Sequence, residues 1–166
     1  MYKRQREDRS CTEQLLDVFA RAQRSVIGVK VVSEKALATT GIVSGAWVEE
    51  GRLLEITDAV EKPSVLEARE RLRMPGLPEG SYLGFFGLYV LGSEVFGHLE
   101  TVITQGLDNA GRFELTAALD IMRAREGCLG YVVDGESYDV GFPDGYLAAL
   151  KAFRGSAARR NRRGRQ

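Results

Sequence analysis

Histidine is nearly missing from this sequence. His98 is the single one, which excludes a histidine-built zinc site and any multi-histidine cluster. Cysteine is scarce too: Cys11 and Cys128 stand far apart. Neither a disulfide framework nor a Cys/His metal spacing can be built from them, and they read as two free thiols of a cytoplasmic protein. No apolar run approaches the length that spans a bilayer, and no signal-peptide pattern opens the chain. The phosphate-cradling patterns G-x-x-x-x-G-K-[ST] and G-x-G-x-x-G are missing, as is a nucleophile elbow. The expectation is a cytoplasmic protein with no membrane partner.

What is present suits one domain with a sizeable core: 166 residues with ordinary apolar and charged fractions. Acids and bases both number 23, but the last twelve residues carry Arg159, Arg160, Arg162, Arg163 and Arg165 and no acid. The remainder is therefore acidic, a poor general surface for polyanions, and phosphate binding in it must rest on a few placed cations. The arginine tail has the charge to meet nucleic acid or an acidic membrane. It has no interleaved aromatics, and no nucleic-acid partner is expected.

Along the chain, Met1-Tyr2-Lys3-Arg4-Gln5 resembles translated sequencing adapter, so residues 1–9 are set aside as an artefactual or disordered start. Ser10-Cys11-Thr12-Glu13 reads as a capping box opening a helix with Cys11, Leu15, Val18, Phe19 and Ala22 inward. Ser25 to Val32 reads as a strand and Ser33 to Ala38 as a helical turn. Gly41 to Glu61 reads as two or three strands with a hairpin turn at Glu49-Glu50-Gly51-Arg52. Ser64-Val65-Leu66-Glu67 is a second capping box, and its helix ends before the loop Met74 to Gly80. Tyr82 to Leu91 is a continuous apolar run, as in a strand covered on both faces. Val95, Phe96, Leu99, Val102 and Ile103 mark a helix on which His98 reads as a surface or capping residue. Leu115, Ala118, Leu119 and Met122 define another. Cys128 to Val133 is a strand, and Pro143 opens a last helix with Tyr146, Leu147, Leu150 and Phe153 inward. Trp47 and the phenylalanines read as core. The tail from Gly155 is too polar to fold and is expected to be disordered. Strands alternating with helices argue an α/β fold with a mixed sheet.

Three segments could carry chemistry. In Val60-Glu61-Lys62-Pro63 the lysine stands at the carboxyl end of a strand, where open α/β sheets bind ligands. Its ammonium could hold a phosphate while Glu61 accepts hydrogen bonds from sugar hydroxyls. Taken alone, the four residues are equally a solvated Glu–Lys pair at a strand end. In Tyr138-Asp139-Val140-Gly141 the aspartate could offer a hard oxygen to Mg²⁺, or simply form a turn before glycine. Gly111-Arg112-Phe113-Glu114-Leu115-Thr116-Ala117-Ala118-Leu119 is, by itself, a glycine before an amphipathic helix.

In this order the segments resemble the C-terminal two-thirds of bacterial UTP–glucose-1-phosphate uridylyltransferases. That family has a "VEKP", a "GxYVL" strand (here Gly87-Leu88-Tyr89-Val90-Leu91), a "GEIQLTDAI"-type helix and a "YDxG...GYLxA" ending. The resemblance covers roughly residues 10–154. It implies an incomplete Rossmann-like nucleotidyltransferase fold with the nucleotide-binding N-terminal part absent. The implied parent is a homo-oligomeric, Mg²⁺-dependent enzyme making UDP-glucose and pyrophosphate from UTP and glucose-1-phosphate, with the fragment alone inactive. Carried over, Lys62 would bind the sugar phosphate and act catalytically, and Glu61 would hold the glucose hydroxyls. Gly41 and Gly87 would let the sugar approach the backbone, and Asp139 would ligate Mg²⁺. The sequence departs from the pattern at Glu114 (usually Gln), Ala117 (usually Asp) and Thr40 (usually Tyr), which puts the sugar or nucleotide in doubt. The alternatives are a thymidylyl- or other sugar-1-phosphate nucleotidyltransferase, or a non-catalytic sugar-phosphate-binding or regulatory module.

Overall fold

The structure is a computed structural model. It describes the backbone of residues 2–5, 9–105, 115–138 and 140–163, and the side chains of 9–105, 115–138 and 140–154. The chain forms two compact units, one of Leu15–Val133 and one of Met1–Gln14 with Asp134–Gln166.

The larger unit is built on β2 (Val26–Ser33), β3 (Ile42–Glu49), β4 (Leu53–Val60), β5 (Ser81–Val90) and β6 (Leu129–Val132). These make a mixed α/β sheet in the order β2-β5-β3-β4-β6, and β6 returns to pair with β2, so the sheet closes. Only the β2–β6 pairing is parallel. Closure of a five-stranded sheet needs sharp local bending, and irregular register supplies it. Between the pairs Ile27↔Tyr89 and Val29↔Phe85, Gly28 of β2 faces the three residues Phe86 to Leu88 of β5. Gly87 sits in this bulge with a φ of +77°, which only glycine adopts without strain.

Strands β3 and β5 are covered on both faces, as the unbroken apolar run of β5 predicts. Val43 and Leu83 enter one core with Ile27, Val29, Leu54 and Ile56. Their neighbours Ile42 and Tyr82 enter a second core with Leu37, Ala68 and Leu72. A helical turn at Glu34–Ala36 supports the second core, and α2 (Val65–Arg71) covers it. The helices α3 (Val95–Thr104) and α4 (Leu115–Glu126) bring Val95, Leu119 and Met122 to the first core.

The expected caps form with one difference. At α1 (Cys11–Ala22) the box is complete: the Glu13 amide donates to Ser10 Oγ, and the Ser10 amide to Glu13 Oε2 at 2.6 Å. At α2 the Glu67 amide donates to Ser64 Oγ, but the Glu67 carboxylate instead accepts from Arg71 one turn on.

The burial of His98 corrects its reading as a surface or capping residue. Phe96 is 72% exposed and Ile103 55%, while His98 is buried among Val95 and Val102. Residues 95, 98 and 102 share one helical stripe, and 96 and 103 lie roughly a third of a turn away from it. His98 tolerates burial because its Nε2 lies 3.0 and 2.9 Å from the two carboxylate oxygens of Glu126. Leu115 is exposed at the start of α4, while Ala118, Leu119 and Met122 are buried.

In the smaller unit β1 (Tyr2–Gln5) pairs antiparallel with β7 (Gly135–Tyr138). The opening residues set aside on sequence grounds are thus hydrogen-bonded strand. The buried Gln14 side chain caps the chain at Asp134, accepting from its amide and donating to its carbonyl, both at 3.0 Å. Helix α5 (Pro143–Arg163) continues past Gly155, where composition alone gives no regular structure. Alanine and arginine are strong helix formers, and an established helix propagates through such residues. Its apolar face reads inward from periodicity, yet Tyr146, Leu147 and Leu150 are each about half exposed and only Ala149 of that segment is buried. Periodicity locates an apolar stripe without stating what covers it. Among the described residues no helix is long and apolar enough to cross a membrane.

Candidate sugar-phosphate site

Strand β4 ends where Pro63, buried and lacking an amide hydrogen, interrupts the ladder. Between them lies Lys62, whose φ of +47° places a β-unbranched but non-glycine residue in the left-handed region. Such backbone costs a non-glycine residue about 1–2 kcal/mol, and proline restricts the preceding residue further. The turn aims the Lys62 side chain outward, 57% exposed, with Nζ 3.8 Å from Glu61 Oε1. In water-exposed surroundings that pair is weak, so the ammonium is available to a stronger anion.

Register carries Glu61 to its neighbours. Ile42 pairs with Val60 on one side and Gly84 on the other, so Gly41 and Glu61 meet Phe85 where β3 begins and β4 ends against the middle of β5. The Phe85 amide donates to the Gly41 carbonyl at 2.9 Å. The Phe85 ring leans on that of Tyr89, with centroids 6.2 Å apart and planes tilted by 59°. Burial, and secondarily the charge of Glu61, hold the Tyr89 phenol above its ordinary ionisation range. At neutral pH it is an uncharged hydrogen-bonding group beside the carboxylate. The cluster therefore offers one exposed cation, one partly exposed carboxylate and one phenol on an aromatic floor. That set suits a ligand with a phosphate at one end and hydroxyls at the other.

These residues lie within a stretch of wider likeness. Over 140 residues the chain is 32% identical to a UTP–glucose-1-phosphate uridylyltransferase of Staphylococcus epidermidis, an alignment covering 84% of this chain and 43% of that protein. The chain is homologous to bacterial UTP–glucose-1-phosphate uridylyltransferases. A second such uridylyltransferase, from Staphylococcus haemolyticus, is 33% identical over 135 residues, covering 81% of this chain and 42% of its own. The chain spans less than half the length of these curated relatives. No protein-family model matches it. An apo UDP-glucose pyrophosphorylase shares the fold, with a TM-score of 0.73 at 24% identity over 92% of this chain and 50% of that one. A UTP-bound enzyme from Acinetobacter baumannii aligns with a TM-score of 0.62 and 25% identity, over 84% of this chain and 43% of that one.

Of the residues the uridylyltransferase resemblance singles out, the structure brings Gly41, Glu61 and Lys62 together and puts Gly87 two residues before Tyr89 on β5. Asp139 lies outside the described residues, as does the Gly111–Glu114 part of the helix motif. The fit of Mg²⁺ can be tested on the donors alone. Among the described residues no group of three His, Cys, Asp or Glu side chains is placed to hold a metal. They do not build a divalent-cation site by themselves. Phe85 and Tyr89, which join this cluster, are in sequence two more apolar members of an unbroken run. The only hint was the glycine-then-tyrosine step at Gly87 and Tyr89.

Elsewhere in the larger unit a cleft of about 480 Å³ lies between Phe19, Arg24, Glu94, Met122 and Glu126. It is a poor phosphate site. Its guanidinium is engaged by Glu55 in a two-pronged bond (Nη1–Oε2 2.8 Å, Nη2–Oε1 2.6 Å), which leaves two carboxylates facing the space.

Proposed function

We propose that this chain forms the sugar-phosphate-binding part of an enzyme that makes UDP-glucose and pyrophosphate from UTP and glucose-1-phosphate. The observation that supports it most is the Glu61–Lys62 pair, carried on a left-handed turn before Pro63 in a chain homologous to uridylyltransferases. In the proposed reaction an oxygen of the sugar phosphate attacks the α-phosphorus of UTP. A new P–O bond forms there, the bond to the β-phosphate breaks, and its electrons leave with pyrophosphate. Such transfers ask the protein for position and charge rather than a covalent nucleophile.

In this reading Lys62 holds the sugar phosphate as a point charge and keeps two anionic substrates from repelling each other apart. Glu61 accepts hydrogen bonds from glucose hydroxyls and fixes the sugar's rotation about its phosphate. The bulge at Gly87 gives the sugar ring access to backbone. Asp139 is proposed as one oxygen ligand of Mg²⁺, which when bound would neutralise phosphate charge; its other ligands would come from outside the described residues.

Calorimetric titration of the 166-residue chain with glucose-1-phosphate tests the reading. Binding is expected to weaken about 10- to 100-fold in Lys62→Ala, since a hydrogen bond to a charged group contributes roughly 1.5–3 kcal/mol. Glucose, lacking the phosphate, is expected to bind both proteins equally weakly. Equal affinity of the two proteins for glucose-1-phosphate would overturn the assignment.

A further inference from the structure

The volume beside Gly41 is already filled. A Cβ built there would lie 2.6 Å from Glu61 Oε2, and 2.6 and 2.7 Å from Cδ2 and Cε2 of Phe85, inside the 3.0 Å that real Cβ atoms keep. Gly41 is buried and its φ is outside the left-handed region, unlike that of Gly87. Glycine is thus required at 41 by volume and not by backbone conformation. The ring on one side cannot easily withdraw. Phe85 is tied to Gly41 through its own amide and leans on Tyr89.

We infer that Gly41 is a positioning residue for Glu61: the side chain it lacks leaves the seat into which the Glu61 carboxylate folds. The inference rests on the sugar-binding role proposed for Glu61 and gives Gly41 a task different from direct contact with a sugar. A glutamate at the end of a strand has three side-chain torsions, and a free carboxylate there would sample many positions. Here one oxygen lies beside Gly41 where a Cβ would stand, and the Phe85 ring closes the rest of that space. Lys62 lies 3.8 Å from the other oxygen. A carboxylate fixed before the ligand arrives loses less freedom on binding, which is how preorganisation raises affinity. A methyl group at 41 would push Glu61 off its seat without altering the charge or chemistry of any group in the cluster.

The test is a double-substitution cycle in the 166-residue chain: Gly41→Ala, Glu61→Ala and both together, read by thermal melting and by glucose-1-phosphate titration. Melting reports the seat itself. Gly41→Ala is expected to lower the midpoint by several degrees in the parent chain, and by a smaller amount once Glu61 is already alanine, because only the contacts to Phe85 then remain. Equal drops in the two backgrounds would overturn the seat. Titration reports the positioning role. Gly41→Ala and Glu61→Ala are each expected to weaken glucose-1-phosphate about tenfold, with the double variant no weaker than Glu61→Ala alone. If Gly41→Ala melts as expected but binds glucose-1-phosphate like the parent, the positioning role falls while the seat stands. If the parent chain binds no glucose-1-phosphate, the sugar-phosphate reading falls and the positioning role with it, whatever the melting cycle shows.

Discussion

Replacing Lys62 with glycine is expected to stabilise the chain while removing the phosphate contact proposed for it. The φ of +47° at Lys62 costs a non-glycine residue about 1–2 kcal/mol, and Pro63 gives the backbone little room to relax. Glycine relieves that cost but gains about 0.4–1 kcal/mol of freedom in the unfolded chain. The net gain is about 0.5–1 kcal/mol. The ion pair to Glu61 is lost as well, but with Lys62 57% exposed it is worth at most a few tenths of a kcal/mol. Lys62→Ala loses the same pair and keeps the backbone cost, so the difference between the two variants isolates the backbone. For a chain of this size Lys62→Gly is expected to melt about 1–3 °C above Lys62→Ala, while neither binds glucose-1-phosphate well. Gln23, with a φ of +51° at the end of α1, is the control: Gln23→Gly relieves similar strain and is expected to leave glucose-1-phosphate binding unchanged. Circular-dichroism melts of the variants decide the matter. If Lys62→Gly is no more stable than Lys62→Ala, the left-handed turn stores no strain, and the argument that function keeps a lysine there fails.

Other substitutions probe the scaffold. His98→Ala is expected to cost about 2–3 kcal/mol in urea denaturation, because it empties a buried site and strips the Glu126 carboxylate of its partner; a loss under 0.5 kcal/mol would mean the pair is ornamental. Ser64→Ala is expected to cost about 1 kcal/mol as a lost helix cap, and Glu67→Ala clearly less, since that carboxylate does not return to the cap. Burial pushes the Cys128 thiol up from an ordinary 9.0 to about 12. The folded chain therefore holds this proton after the unfolded chain has released it, and stability is expected to fall as pH rises from about 9 towards 12. Cys128→Ala is expected to flatten that alkaline limb in pH-dependent melts, and an unchanged limb would assign it to other groups.

Local chemistry settled much of this protein from its sequence. The serine caps at Ser10 and Ser64, the hairpin at Gly51, the two-faced β5 and the stop at Pro63 all depend on residues within a few positions of one another. The order of the "VEKP", glycine-tyrosine and "YDxG" segments carried the family likeness for the same reason, since spacing along the chain is visible in the chain. The tertiary structure decided what depends on partners distant in sequence. Closure of the sheet follows from the return of β6 to β2 and the bulge opposite Gly28. The burial of His98 follows from Glu126 on another helix, where its own helix shows only an isolated polar residue in an apolar stripe. The outward face of α5 is apolar by periodicity, and only packing tells whether an apolar face is covered. At the candidate site, sequence named Glu61 and Lys62 as a pair, and the family resemblance added Gly41 apart from them. Pairing of β3 with β4 and β5 brought Glu61 and Phe85 both beside Gly41, because the register between strands, and not the distance along the chain, determines which side chains share a volume.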